Sequence, residues 1–158
     1  MSSKANQTIT FGALTDKSLG SSPISVTGNS TSGLPLSFAI QSGPATISNG
    51  TVTINGIGSV TVRASQAGDA NYNAATSVDQ SFTVTKASTS TAVSSSLNPS
   101  TLSQPVTLTA TITSAVTPTG TVTFKDGPAT LGTGTLNSSG VGHVNNFDLD
   151  AGTSLNYG

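Results

Sequence analysis

The stretch "SVTVRAS", residues 59–65, decides the fold, because its apolar and polar residues alternate without a break. Val60, Val62 and Ala64 lie on one face of an extended chain, and Thr61 and Arg63 lie on the other. A strand that is apolar on one face only belongs to a sheet with one buried and one solvated side, which is typical of antiparallel sheets. This stretch therefore predicts an all-β protein built from antiparallel strands.

The same alternation recurs through the first half of the chain, where turn signals such as "SGLP" and "SNG" separate the short segments. It weakens in the polar residues 86–90 and restarts in "VTLTATIT", residues 106–113, and "GTVTFKDG", residues 120–127. We interpret residues 86–90 as a linker between two antiparallel β-sandwiches, residues 1–86 and residues 87–158. The predicted inward residues are Ile24, Val26, Leu36, Phe38, Ile40, Val60, Val62, Phe82 and Val84 in the first sandwich, and Val106, Leu108, Ala110, Ile112, Val122 and Phe124 in the second.

The amino-acid composition argues against several classes of function. Charged residues make up 7 % of the 158 residues and the formal net charge is −1, so a basic surface for nucleic acid is not expected. Cysteine is absent, which excludes disulfides and cysteine-based metal sites. No apolar run reaches the ~20 residues of a membrane span, so membrane insertion is not expected. With one histidine, His143, and no nucleotide or metalloprotease motif, we predict no enzymatic activity and no cofactor.

Longer motifs carry a resemblance. The segments "QTITFGALTDKSLG", "SGLPLSF" and "GSVTVRASQAGDANYNAA" resemble one family of bacterial Ig-like repeats, and "PTGTVTFKDG" with "LGTGTL" resembles a second, different family. The resemblance implies two tandem Ig-like sandwiches in a large bacterial surface or secreted protein, hence an extracellular or cell-surface location. The antibody-type cysteine pair and tryptophan are missing, so the cores must be held by aliphatic packing.

Two clusters are weak metal candidates. "GDANYN" places Asp69, Asn71 and Asn73 at the spacing that opens a calcium loop, but the bidentate glutamate that should close such a loop is missing. The resemblance implies instead a structural corner in which Asp69 caps a turn. Asp148 and Asp150 lie close together near the chain end, where a solvated turn is the simpler interpretation. We therefore predict no metal site.

The chain end raises a question of assembly. The resemblance implies that the second sandwich lacks its last strand, which would leave an edge at Ser154, Leu155, Asn156 and Tyr157. An exposed edge is a template for pairing with another chain. Candidate donors are "STSTAV", residues 88–93, or the strand formed by Gln7, Thr8, Ile9, Thr10 and Phe11. Partners would then be other protein chains, including copies of this one.

Two function classes follow from these observations. The favoured one is a non-catalytic structural module, either a spacer or stalk or an adhesive repeat of a bacterial surface protein. The alternative is a subunit of an extracellular filament that is completed by strand donation. A carbohydrate-binding module ranks third, because sugar platforms use exposed aromatic side chains and the chain has only five phenylalanines and two tyrosines.

Overall fold

The computed structural model describes residues 3–101 and 104–148, and within these ranges the regular structure is entirely β. The all-β prediction is confirmed, and its antiparallel sheets are consistent with an Ig-like β-sandwich. The chain divides into two compact units, Met1–Ala87 and Ser88–Gly158. The described part of the chain includes no helix long and apolar enough to cross a membrane.

The described part of unit 1, residues 3–87, contains nine strands, several of them only two or three residues long. They are β1 (Ile9–Phe11), β2 (Lys17–Ser18), β3 (Ile24–Ser25), β4 (Gly28–Ser30), β5 (Ser37–Ser42), β6 (Ala45–Ser48), β7 (Thr51–Ile54), β8 (Gly58–Ser65) and β9 (Val78–Thr85). The larger sheet has the order β2-β9-β8-β5, a second sheet has the order β3-β7-β6, and β1 pairs with β4. The tight turns between β6 and β7 and within the longer loops use left-handed residues such as Asn49 and Gly50.

The core of unit 1 lies along β8, as the alternation in residues 59–65 predicts. Val60, Val62 and Ala64 have no exposed surface, and Phe82 of β9 lies directly across from Val60. The buried cluster also includes Phe11, Val26, Val52 and Val84. The predicted residues that are less buried, namely Ile24, Leu36, Phe38 and Ile40, pack against this cluster. The predicted strand phase of unit 1 is confirmed.

One strand pair departs from the antiparallel expectation. β2 runs parallel to β9, with Lys17 opposite Val84 and Ser18 opposite Thr85. An isolated parallel bridge joins Ala5 to Tyr72. Alternation shows which face of a strand is buried, but it carries no information about which strand becomes the neighbour. The predicted antiparallel pairing thus holds for the other strand pairs, and this short edge pair is parallel.

Unit 2 contains five strands within the described residues. They are β10 (Thr89–Ser95), β11 (Pro105–Ser114), β12 (Thr121–Asp126), β13 (Ala129–Thr135) and β14 (Val141–Asp148). They form one sheet in the order β10-β11-β14 and a second sheet in which β12 pairs with β13. Val106, Leu108, Ala110 and Phe124 form the buried cluster, as predicted, with Val122, Leu131 and Val144 packed against it. Ile112, also predicted to point inward, is half-buried.

The predicted linker, residues 86–90, is partly wrong. Thr89 and Ser90 begin β10 and pair with Ser114 and Thr113 of β11. The first six residues of β10 are exposed, so this strand has no buried face that could produce an alternating pattern. Its residues become a strand through backbone pairing alone, which the polar sequence could not reveal.

Candidate functional site

The candidate calcium loop is a corner that is closed by its own carboxylate. Asp69 Oδ1 accepts hydrogen bonds from the backbone amides of Asn71 at 2.8 Å and Tyr72 at 2.9 Å. The Asp69 amide in turn donates to the carbonyl of Tyr72 at 3.1 Å. Gly68, with φ of +78°, precedes it at a point where a Cβ atom would collide with the Tyr72 carbonyl oxygen. Asp69 therefore caps the turn, as the structural alternative predicted.

The other two candidate ligands hold the N-terminal segment. The carbonyl of Asn71 accepts the Ala5 amide at 2.8 Å, and the Asn73 amide donates to the Ala5 carbonyl at 2.8 Å. The Asn73 side-chain Nδ2 donates to Asn6 Oδ1 at 2.9 Å. The backbone carbonyl of Asn71 and the backbone amide and side-chain nitrogen of Asn73 are thus engaged in the hydrogen bonds of the fold. Within residues 3–101 and 104–148, no cluster of three or more histidine or acidic side chains could hold a metal.

A buried polar group that sequence reasoning missed lies beside this corner. Gln7 is 6 % exposed, and its Nε2 donates to the Asn73 carbonyl at 2.7 Å. Its Oε1 accepts a hydrogen bond from the Ser32 hydroxyl. Ser30, also buried, donates from its hydroxyl to the Leu34 carbonyl at 2.7 Å. The signal was present in "QTITF", because Gln7 is in phase with the inward residues Ile9 and Phe11.

The predicted donor strand is engaged within its own unit. Ile9, Thr10 and Phe11 pair with Ser30, Asn29 and Gly28 of β4. The Phe11 side chain is buried in the core. Transferring residues 7–11 to another chain would break this pairing and would remove Gln7 and Phe11 from buried positions. This segment is therefore already paired within unit 1, whereas strand donation requires it to pair with another chain.

Of the candidate residues near the chain end, the structure describes only Asp148. Asp148 was interpreted as part of a turn, which is wrong: it is the last residue of β14, where its backbone lies opposite Pro105 of β11. Asp150 and the predicted edge, Ser154, Leu155, Asn156 and Tyr157, lie outside the described residues. The predictions made for these positions stay predictions.

The single histidine lies on the solvent-facing side of β14. His143 is exposed, and its Nδ1 lies 3.0 Å from the hydroxyl of Thr109, the residue opposite it on β11. Thr107 Oγ1 makes the equivalent contact to Asn145 Oδ1 at 3.2 Å. These are cross-strand side-chain pairs on a polar sheet face, which is the arrangement expected of the outward half of an alternating strand.

The described residues contain one ion pair, between Arg63 of β8 and Asp79 of β9. The pair is bidentate, with Arg63 Nε 2.7 Å from Asp79 Oδ1 and an Arg63 terminal nitrogen 2.8 Å from Oδ2. The hydrogen bond from the guanidinium lowers the pKa of the Asp79 carboxyl and raises the pKa of Arg63. Both side chains are more than two-fifths exposed, so the pair ties two strands together at the surface.

Comparison with known proteins identifies one family, over the second unit. No curated protein matched the chain, and no solved structure matched it either. No model of a different Ig-like family matched, so the predicted tandem of two families stays a prediction. The segment that matches begins one residue before β10 and includes all five strands of unit 2. Residues 88–155 match the bacterial Ig-like domain, group 3.

Proposed function

We propose that this chain is a non-catalytic structural module of a bacterial extracellular or surface protein, in which it acts as a spacer. The observation that carries the proposal is the match of residues 88–155 to the bacterial Ig-like domain, group 3. Bacterial Ig-like domains commonly occur in extracellular or surface proteins and are typically non-enzymatic. A spacer needs a stable fold and an unreactive surface rather than a site.

The use of polar side chains supports this proposal. The polar side chains that came closest to forming a candidate site instead form hydrogen bonds within the fold of unit 1. These side chains belong to Asp69, Asn73 and Gln7. In the described part of the chain, every buried side-chain nitrogen and oxygen has a hydrogen-bond partner. On the outward face of the sheet, the hydroxyls of Thr61 and Ser81 pair with each other at 2.8 Å. Such a surface is hydrated and nearly uncharged, which suits a segment that separates other domains.

The test displays the chain on a bacterial cell between a cell-wall anchor and a fluorescent reporter. We expect the reporter to stand further from the surface than with the anchor alone, and at a more uniform height than with a Gly/Ser linker of equal residue number. Purified chain should not bind glycans or matrix proteins. Micromolar binding to either, or a reporter height equal to that of the anchor alone, would contradict the spacer function.

A second candidate function, assembly between copies through β10, is favoured by the character of that strand. β10 is at the edge of its sheet among the residues that the structure describes, and its seven residues include no charge and no proline. It pairs with β11 without a register break, and Val93 is 43 % exposed. Edge strands are usually protected by charges, prolines or bulges, and β10 has none of these. It also includes most of "STSTAV", one of the two donor segments considered above.

Light scattering on the full chain tests this second candidate. Assembly through β10 requires a concentration-dependent increase in mass that Val93→Lys abolishes, because the lysine would place a charge on each paired edge. Thr91→Lys would place a second charge on the same strand and serves as a repeat of the test. A monomeric mass at millimolar concentration excludes assembly. Carbohydrate binding has less support, because Phe11, Phe38, Phe82 and Phe124 contribute to the cores rather than to an exposed platform.

A further inference from the structure

The N-terminal segment of unit 1 and the segment that leads into and forms its last strand run side by side in one constant parallel register. Ala5 pairs with Tyr72, Lys17 with Val84 and Ser18 with Thr85. In each pair the partner lies 67 residues further along the chain (5 and 72, 17 and 84, 18 and 85). Between these points β1 pairs with β4 and β9 pairs with β8, so no continuous ladder imposes the register.

Hydrogen bonds join the two segments at both ends and once in the middle. At the first end, Ala5 exchanges two backbone bonds of 2.8 Å with Asn71 and Asn73. In the middle, Gln80 Nε2 donates to the Phe11 carbonyl at 3.0 Å. At the far end, the Leu19 amide donates to the Thr85 carbonyl at 2.9 Å.

A side chain extends the far end of this contact. The amide of Thr83 donates to Asp16 Oδ1 at 2.6 Å, one residue before the β2 ladder begins. Asp16 and Thr83 are again 67 positions apart in the chain. Hydrogen bonds to a carboxylate are stronger than hydrogen bonds to a neutral acceptor. We therefore expect the bond from Thr83 to Asp16 to be the strongest hydrogen bond in the contact.

We propose that this parallel contact is a tension-bearing clamp that keeps unit 1 folded when its two ends are pulled apart. One segment enters the unit and the other leaves it, and the two point in the same direction. Tension along the chain therefore slides them past each other, which loads all the bonds of the contact together. An antiparallel pair pulled at one end opens bond by bond, and each step needs less force. The inference deepens the proposed spacer function, on which its biological meaning rests, because a spacer between a cell and an attached object carries tension.

Single-molecule force spectroscopy on the full chain, flanked by marker domains, tests the clamp. Asp16→Ala should lower the force at which unit 1 unfolds, and Asp16→Asn, which keeps an acceptor oxygen, should restore most of it. The matched control is Thr61→Ala, which removes a surface hydrogen bond between the antiparallel strands β8 and β9. Equilibrium denaturation of each variant gives the loss of stability against which the change in force is compared. We expect Asp16→Ala to lower the force more than Thr61→Ala at an equal loss of stability.

A change of pulling direction provides an independent test that needs no destabilised variant. The chain has no cysteine, so Ser59→Cys offers a unique attachment point at the end of β8 that lies beside the end of β9. Pulling from this position against the C-terminus peels β9 away from one end, so that its bonds to β8 and to β2 are loaded one after another and the clamp is not sheared. Unit 1 should then unfold at a clearly lower force than when it is pulled from its N-terminus. Equal forces in the two directions would overturn the clamp, as would equal effects of Asp16→Ala and Thr61→Ala, and either result leaves the reporter-height test of the spacer function standing.

Discussion

The rings of Phe11 and Phe38 meet edge to face, with centroids 5.3 Å apart and planes inclined by 61°. This geometry is favourable for aromatic pairs and adds to the burial of both side chains. Phe11 belongs to β1 and Phe38 to β5, so the contact joins strands of two different sheets in the core of unit 1.

Phe11→Ala should therefore lower the free energy of unfolding of unit 1 by about 3–5 kcal/mol, because it empties a buried position and removes the aromatic pair. Phe38→Ala should cost less, since Phe38 is only half-buried. Urea denaturation of the two variants measures both values. An equal or larger loss for Phe38→Ala would show that the burial of Phe11 is not what stabilises the contact.

Among the residues whose burial the structure describes, Phe124 is the one aromatic member of the buried cluster of unit 2. Phe124→Ala should destabilise unit 2 by about 3–5 kcal/mol. This loss is large relative to the ~5–15 kcal/mol that holds a small domain together. Amide hydrogen exchange should show lost protection in β11 and β12 and unchanged protection in β8. The control is Val93→Ala on the exposed β10, which should change the stability by less than ~0.5 kcal/mol.

Gln7 makes its two side-chain hydrogen bonds in a buried position. Gln7→Leu should lower the stability of unit 1 by about 1–3 kcal/mol, because the Asn73 carbonyl and the Ser32 hydroxyl each lose a hydrogen-bond partner. Thr10→Ala, an exposed change on the same segment, is the control. A thermal melt in which the leucine variant is as stable as the wild type would mean that water or a rearranged serine replaces the amide.

Asp69 should contribute to stability through the turn and independently of calcium. Asp69→Ala should cost about 1–2 kcal/mol by leaving the amides of Asn71 and Tyr72 without their acceptor, and Asp69→Asn should retain most of that stability. Melting curves with calcium and with a chelator should coincide for all three proteins. A calcium-dependent rise in melting temperature that Asp69→Ala abolishes would identify the corner as a metal site after all.

The Arg63–Asp79 pair predicts a pH dependence of defined sign. Because the folded state lowers the pKa of Asp79, the pair contributes stability above the ordinary pKa of an aspartate, about 3.9, and loses it as the pH falls through the lower folded value. Asp79→Asn should therefore be less stable than wild type at pH 7, and the difference should shrink below pH 4. Added salt should shrink it at pH 7 as well, since both groups are exposed. A difference that stays constant from pH 7 to pH 2 would contradict this account.

Side-chain alternation was sufficient to predict the cores. Val60 and Val62 are buried because a strand repeats every two residues, and this period is visible in any sequence that buries one face. Gln7 follows the same period but was not predicted to be buried, because a buried amide needs partners, here Asn73 and Ser32, that only the fold brings near it. The turn cap by Asp69 was implied by the resemblance to bacterial Ig-like repeats, and it is physically reasonable because aspartate accepts hydrogen bonds from the amides that follow it.

The sequence pattern could not predict which strands pair with each other. β2 is two residues long, and its partner lies 67 residues away, so no local periodicity reveals the parallel pair. β10 forms without a buried face and was interpreted in part as a linker. In both cases the strand exists because another strand offers free backbone groups, which is a property of the assembled sheet and not of the segment itself.

The pairing of residues 17–18 with residues 84–85 also sets an order of events during synthesis. β2 leaves the ribosome early, yet its partner β9 is among the last parts of unit 1 to be made, and contacts so distant in sequence form slowly. The hairpin pairing of β6 with β7 needs only neighbouring residues and can form much earlier. Residues 17–18 must therefore remain without their strand partner in the nascent chain until β9 has emerged, and during that interval their backbone groups are open to a chaperone or to a neighbouring nascent chain.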